Sequence, residues 1–190
     1  MAPIAIREHA TEKLKERLLP GIAAGKIKMS YGITEPNSGT NTYKIGTSVS
    51  REGETYVVNG QKTFVTNFAS SDYIQLVARS TPYEAVKDDD KRKGITSLIV
   101  PTDADGISFE PLDLAMTQVD QEYTVHFDDV RVPVDHRLGD EGEAFIQLFT
   151  SLNPERIAVS AIVLGLGRFA LERGVAYAKE REVWDRPIGR

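Results

Sequence analysis

Tyr56-Val57-Val58-Asn59-Gly60-Gln61-Lys62-Thr63-Phe64-Val65 is the stretch that decides the fold class. Two runs of β-branched and aromatic residues flank Asn-Gly, whose tolerance of positive φ suits a type I′ turn, so the spacing predicts a β-hairpin. Working outward, similar runs recur at Lys28–Ile33, Tyr43–Ser50, Thr55–Val58, Lys62–Thr66, Tyr73–Arg79, Thr96–Val100, Ile107–Glu110 and Tyr123–Phe127, parted by turn residues. Closely spaced strands without intervening helices predict a mainly β domain built as an antiparallel β-barrel or sandwich.

Both flanks read differently. Arg7–Leu19 is rich in helix formers and predicts one short helix, stopped by Pro20-Gly21. Phe145, Leu148, Phe149 and Leu152 recur at helical spacing. After Asn153-Pro154, an N-cap and a first-turn proline, a second helix is expected over Glu155–Glu182. It is apolar on most faces, so burial on several sides is expected. The implied organisation is 1–27 as the end of a helical domain, 28–137 as the β-domain and 138–190 as the start of a second helical domain. A helix in need of partners at the end of the sequence raises the expectation of further sequence or of an oligomer. The charge block Asp88–Lys93 reads as a solvated loop between strands.

Composition narrows the function. A net charge of -5 argues against a broad nucleic-acid or anionic-membrane surface, which would need a basic face. With no cysteine, disulfides and thiolate catalysis are excluded. His9, His126 and His136 lack close metal-ligand spacing, so no metal site is expected. Ile157–Ala170 is apolar, but Arg168, Glu172 and Arg173 interrupt it short of the ~20 residues of a membrane span. No secretory signal opens the sequence, so the expected location is cytoplasmic, or the mitochondrial matrix for a eukaryotic source.

Tyr31-Gly32-Ile33-Thr34-Glu35-Pro36-Asn37-Ser38-Gly39-Thr40-Asn41 is a strand opening into a loop of small, hydroxyl-bearing and amide residues. Backbone N–H groups and hydroxyls in such a loop suit an anion, although an ordinary polar turn has the same composition. Downstream stand Asn59–Asn67, Phe127-Asp128-Asp129-Val130-Arg131-Val132-Pro133, Leu138–Gly142, Leu152–Ile157 and Tyr177–Glu182. In order and spacing these six segments resemble the successive signatures of the acyl-CoA dehydrogenase family, and they cover nearly the whole chain.

The resemblance implies a middle β-barrel between two helical domains, FAD as cofactor, and α,β-dehydrogenation of an acyl-CoA thioester. It implies that Tyr31, Ile33 and Thr34 run along the isoalloxazine ring and that Phe64, Val65 and Thr66 cover another contact zone. Phe64 replaces the usual Trp, and Thr66 matches a Thr whose hydroxyl approaches flavin N5. Thr40 would touch the phosphate-rich region of cofactor and substrate, Asn153 and Arg156 the CoA thioester, and Arg181 the FAD of a neighbouring subunit. In some branches of the family the catalytic base immediately precedes the helix-start Arg. Here that position is Glu155, next to Arg156, whereas in most branches the base lies in the later helical domain. A homo-oligomer, and electron-transfer flavoprotein as acceptor, are further implications. Asn41 and Thr40 replace the usual Asp and Ser, and Trp184-Asp185 replaces Phe-Gly after Arg181.

Rival readings are a non-catalytic β-module for binding or assembly, and a sister flavoenzyme such as an acyl-CoA oxidase or flavin-dependent hydroxylase. Gly165-Leu166-Gly167-Arg168-Phe169-Ala170 also fits a G-x-G-x-x-A dinucleotide fingerprint with Asp185 about twenty residues on. No strand follows before Asp185, so glycines within a helix are the better reading.

Overall fold

The structure, a computed structural model, describes residues 2–87, 90–115 and 120–189. Its contacts divide into two units, Met1–Ser151 and Leu152–Arg190.

In the first unit, helices α1 (Ala2–His9) and α2 (Glu12–Ala23) precede an eight-stranded sheet. The strands are β1 (Met29–Gly32), β2 (Ser48–Glu52), β3 (Thr55–Thr66), β4 (Tyr73–Arg79), β5 (Ile95–Pro101), β6 (Ile107–Pro111), β7 (Glu122–Pro133) and β8 (Arg137–Leu138). Their order is β6-β7-β3-β2-β4-β5-β8, with β1 on β4. The expected β-domain is therefore present, but its pairing is mixed: β1 and β2 each meet β4 in parallel. Among the described residues no strand pair joins β6 to β8.

The predicted hairpin at Asn59-Gly60 is corrected. β3 runs straight through these residues for 12 positions, and the real hairpin turn lies between β2 and β3, at Gly53 with φ 61°. Asn59 instead secures a bulge. It donates to Asp129 Oδ1 at 2.9 Å and accepts from the Asp129 amide at 2.8 Å, where the β3–β7 register shifts. Gly60 is required by close approach, because a Cβ there would sit 2.6 Å from Thr47 Cα. The signal Asn-Gly encodes positive φ, which a bulge uses as readily as a turn.

Residues 43–50 do not form one strand. A short 3-10 turn over Thr42–Lys44 precedes β2 at Ser48. The sheet packs Val49, Tyr56, Val58, Val65, Ile74, Leu76, Leu98, Val125 and Val132 into the main core, joined by Phe68 from the 3-10 turn after β3. α1 and α2 close a second cluster, where Ile6, Leu14 and Leu18 meet Ile99 and Leu138. Each such side chain contributes about 1.5–3 kcal/mol by leaving water. The expected single N-terminal helix is thus two, and it has a packing partner.

Thr11 caps α2, accepting from the Leu14 amide at 3.3 Å. Pro20 does not stop α2 but lies inside it. The helix ends three residues past Pro20, and Gly25, at φ 67°, turns the chain. A proline forfeits one backbone bond, and the packed residues preceding Pro20 hold the helix nonetheless.

α3 (Ala144–Glu180) is likewise one helix of 37 residues, with Pro154 inside, rather than two helices capped at Asn153. Ala144, Leu148 and Ser151 are buried in the first unit. In the second unit the same helix exposes Ile157, Ile162, Leu164, Leu166, Phe169 and Leu171, so the expected burial is not met within this chain. The Gly165–Ala170 motif lies within this helix, with no preceding strand to make a dinucleotide fold. Among the described residues no helix is long and apolar enough to cross a membrane. Of the charge block, Asp88 and Asp89 lie outside the described residues, while residues 91–94 form a turn before β5.

Candidate functional site

The Thr34-Glu35-Pro36 segment leaves β1 and is fastened to β3 from beneath. Lys62, fully buried, donates to Glu35 Oε1 at 2.7 Å and to the Ile33 carbonyl at 3.0 Å. The Glu35 carboxylate also accepts from the amides of Gly46 at 2.5 Å and Thr47 at 2.9 Å. The Thr63 amide donates to the Thr34 carbonyl at 2.9 Å. Burial opposes charge on Glu35, but Lys62 and the hydrogen bonds from Gly46 and Thr47 prevail and hold its carboxyl below the usual range. Burial lowers the Lys62 amine to about 8, against the pull of Glu35.

These bonds spend the carbonyls of Ile33 and Thr34 inward. Tyr31, Ile33 and Thr34 are all half-buried, while Thr40 is exposed at the loop tip. Buried Ser38 shapes that tip, with its hydroxyl donating to the Asn41 carbonyl at 2.7 Å and its amide to Glu35 O at 3.1 Å.

The end of β3 is a second built feature. Between Lys62 and Val65 the register against β7 slips, and Phe64 adopts φ 55° with 55% of its surface exposed. A bulky residue in the left-handed region is strained by of order 1–3 kcal/mol, a cost found mostly where function needs it. The slip leaves Phe64 and Thr66 outward and sends the Val65 side chain into the core, so Val65 has only backbone to offer on that face. Thr66 pairs with Glu122 across the ladder, and its hydroxyl donates to Glu122 Oε1 at 2.8 Å. Glu122 Oε2 is buried without a hydrogen-bond partner. An exposed aromatic beside an outward hydroxyl fits a planar ring with a polar edge, so Phe64 and Thr66 suit a flavin.

Beside the loop lies a cleft of about 610 Å³, lined by Asn37, Lys44, Gly46, Arg79, Tyr83 and Glu84 among others. Arg79 spends its guanidinium on the carbonyls of Thr81, Tyr43 and Lys93, at 2.7, 2.7 and 2.9 Å, and so ties the cleft walls together. Lys44 Nζ lies 5.7 Å from the Tyr83 ring centroid. Lys44, Arg79 and Glu84 all line the cleft, so it carries charges of both signs.

Sequence reasoning missed Lys62 with Glu35, and it missed Glu122 and Arg79. Lys62 gave no reliable signal, because the bulge between Val58 and Gly60 breaks the alternation that would have predicted its burial. Glu122 had none, because its partner Thr66 lies 56 residues away.

The remaining sequence-predicted site residues lie in the second unit. Asn153 and Arg156 are exposed and within reach of one another at 3.4 Å, Glu155 is half-buried, and Arg181 is exposed after α3. Among the described residues no cluster of three or more His, Asp or Glu side chains is placed to hold a metal ion.

Comparison with known proteins accounts for this combination. The family model for the acyl-CoA dehydrogenase middle domain matches residues 30–130, just over half of the chain. The acyl-CoA dehydrogenase FadE12 of Mycobacterium tuberculosis is 41% identical over 184 residues, 97% of this chain and 46% of that protein. The butyryl-CoA dehydrogenase structure from Megasphaera elsdenii superposes with TM-score 0.85 at 29% identity, over 99% of this chain and 48% of that one. The ChsE4–ChsE5 complex from Mycobacterium tuberculosis gives TM-score 0.72 at 36% identity, over 80% of this chain and 38% of that one. The chain spans about half the length of the curated relatives it matches. With the mixed sheet, the pinned Thr-Glu-Pro loop and the matched segment in agreement, this chain belongs to the acyl-CoA dehydrogenase family and carries its middle domain with helical flanks.

Proposed function

We propose that the chain supplies the flavin-facing wall of an FAD-dependent acyl-CoA dehydrogenase that oxidises an acyl-CoA thioester to its trans-2-enoyl form. The observation that carries the reading is the joint construction of two outward segments. Glu35–Lys62 pins Tyr31–Thr34 to β3, and the bulge at Phe64 turns Phe64 and Thr66 outward on that same strand. FAD, when bound, supplies the electron acceptor for the β-carbon of the substrate.

The residues of this chain orient and bind. The Tyr31–Thr34 segment and Phe64–Thr66 position the ring, Thr40 holds phosphate near the loop tip, and Asn153 with Arg156 orients the thioester. Arg181 serves the FAD of a neighbouring copy in a homo-oligomer. Glu155 is the base that removes the α-proton, and electron-transfer flavoprotein receives the electrons. The domains divide at 27/28 and 137/138.

The test uses the protein in the longest form its reading frame allows. It is purified and its flavin absorbance recorded, then mixed with a series of acyl-CoA thioesters without oxygen. Bleaching of the flavin is expected, and Glu155→Gln is expected to abolish it while flavin is retained. A protein that takes up no flavin overturns the reading in favour of a binding module. Bleaching at the wild-type rate in Glu155→Gln removes the base assignment alone. Rapid reoxidation by oxygen would mark an oxidase.

A further inference from the structure

We propose that Glu122 is a positioning residue that fixes the polarity of the Thr66 hydroxyl, making Thr66 a hydrogen-bond acceptor toward the bound ring. This rests on the flavin assignment above and deepens it. A threonine hydroxyl has one hydrogen and two lone pairs. In this structure the hydrogen is spent on Glu122 Oε1, at 2.8 Å, across a directly paired position of the β3–β7 ladder. Outward, Thr66 therefore has only lone pairs to present. Glu122 Oε2 is buried and without a hydrogen-bond partner, so among the described residues no second donor competes with Thr66 for this carboxylate. The exposed hydroxyl beside Phe64 thus offers an acceptor and asks for an N–H group.

That demand has a redox sense. Flavin N5 is a bare acceptor in the oxidised ring and carries an N–H in the reduced ring. An acceptor-only Thr66 opposes the first and pairs with the second, so it tilts binding toward reduced flavin. If Glu122 were absent, Thr66 would be free to rotate and donate to the oxidised ring, and the tilt would be lost. Reversing one hydrogen bond of about 1–1.5 kcal/mol corresponds to roughly a tenfold change in an equilibrium.

Two variants separate hydrogen bonding from charge: Glu122→Gln keeps an acceptor for Thr66, and Glu122→Ala removes it. The first readout needs no flavin. In this chain, three-bond NMR couplings report the Thr66 χ1 rotamer. A single rotamer is expected in wild type and in Glu122→Gln, and an averaged one in Glu122→Ala. Averaging already present in wild type, or no change in Glu122→Ala, overturns the proposal. The second readout is the ratio of affinities for reduced and oxidised FAD in the flavin-loaded protein, from reductive titration followed by absorbance. Glu122→Ala is expected to lower that ratio about tenfold relative to Glu122→Gln, and the difference should vanish in a Thr66→Val background. A difference that survives Thr66→Val shows that Glu122 acts without Thr66 and also overturns the proposal. Failure to bind flavin sinks the flavoenzyme reading itself, and the rotamer measurement still decides whether Glu122 fixes Thr66.

Discussion

Lys62 Nζ lies 2.7 Å from Glu35 Oε1, with the lysine fully buried and the carboxylate nearly so. Their α-carbons are parted by 27 positions in sequence, and the pair joins the loop after β1 to the middle of β3. Two desolvated charges are tolerated because each is satisfied beyond the other: Lys62 by the Ile33 carbonyl, Glu35 by two amides.

Breaking the pair from one side leaves a buried charge without its counterion. Glu35→Gln or Lys62→Met is expected to cost about 3–5 kcal/mol in urea unfolding. The double substitution should cost clearly less than the sum of the two, because neither partner is then stranded. An additive double mutant would show that the two residues act independently. In the wild type the Lys62 amine should titrate near pH 8 by NMR. Above that pH, loss of its proton leaves the Glu35 carboxylate without an ion pair.

His136 clasps α2 to the sheet. Arg17 Nη2 lies 2.6 Å from His136 Nε2, and a guanidinium can only donate, so Nε2 accepts. The proton therefore sits on Nδ1, which donates to the Ile99 carbonyl at 2.8 Å. Burial, with a smaller contribution from Arg17 and Lys13, lowers the His136 pKa, while the Ile99 carbonyl and Asp135 oppose. Below about pH 6.5 the unfolded chain binds a proton that the folded histidine resists, so stability rises with pH through that window. The contribution is complete above 6.5 and falls away as pH drops toward the folded value. Melting temperature against pH should show this slope, and His136→Gln should flatten it between pH 5 and 7.

Gly60 and Gly53 should respond differently to alanine. At Gly60 a Cβ would meet Thr47 backbone at 2.6 Å with φ 140°, so both sterics and dihedral oppose it. At Gly53 nothing lies within 4 Å, and only φ 61° is unfavourable. Gly60→Ala is expected to cost about 2–4 kcal/mol and Gly53→Ala about 1 kcal/mol, measured by denaturant unfolding. Equal costs would mean that Thr47 gives way freely.

The helix beyond Leu152 leaves Leu164, Leu166, Phe169 and Leu171 each more than half exposed. Apolar area on that scale drives association. The chain alone should show concentration-dependent sedimentation, and Leu164→Lys with Phe169→Lys should return it toward monomer. A wild-type monomer at high concentration would show that this face is soluble as it stands.

The sequence by itself determined the strand content, the two helical flanks and the family, because period-two runs and ordered local motifs such as Tyr31–Asn41 and Phe127–Pro133 are carried by neighbouring residues. It did not decide where Asn59-Gly60 would turn the chain, since the same positive-φ signal serves a hairpin or a bulge. The choice rests on Asp129 and Thr47, which reach Asn59 and Gly60 only through tertiary pairing. Pro20 read as a stop and Asn153-Pro154 as the start of a new helix, yet both prolines proved internal; on α2, packing against the sheet outweighs one lost backbone bond. The site divides the same way. Thr66 and Glu35 were visible as members of local motifs, while their working partners, Glu122 and Lys62, come from 56 and 27 positions away. Which way a hydroxyl points and which buried charge is satisfied are properties of contact in space, and only the folded sheet brings those atoms within 3 Å.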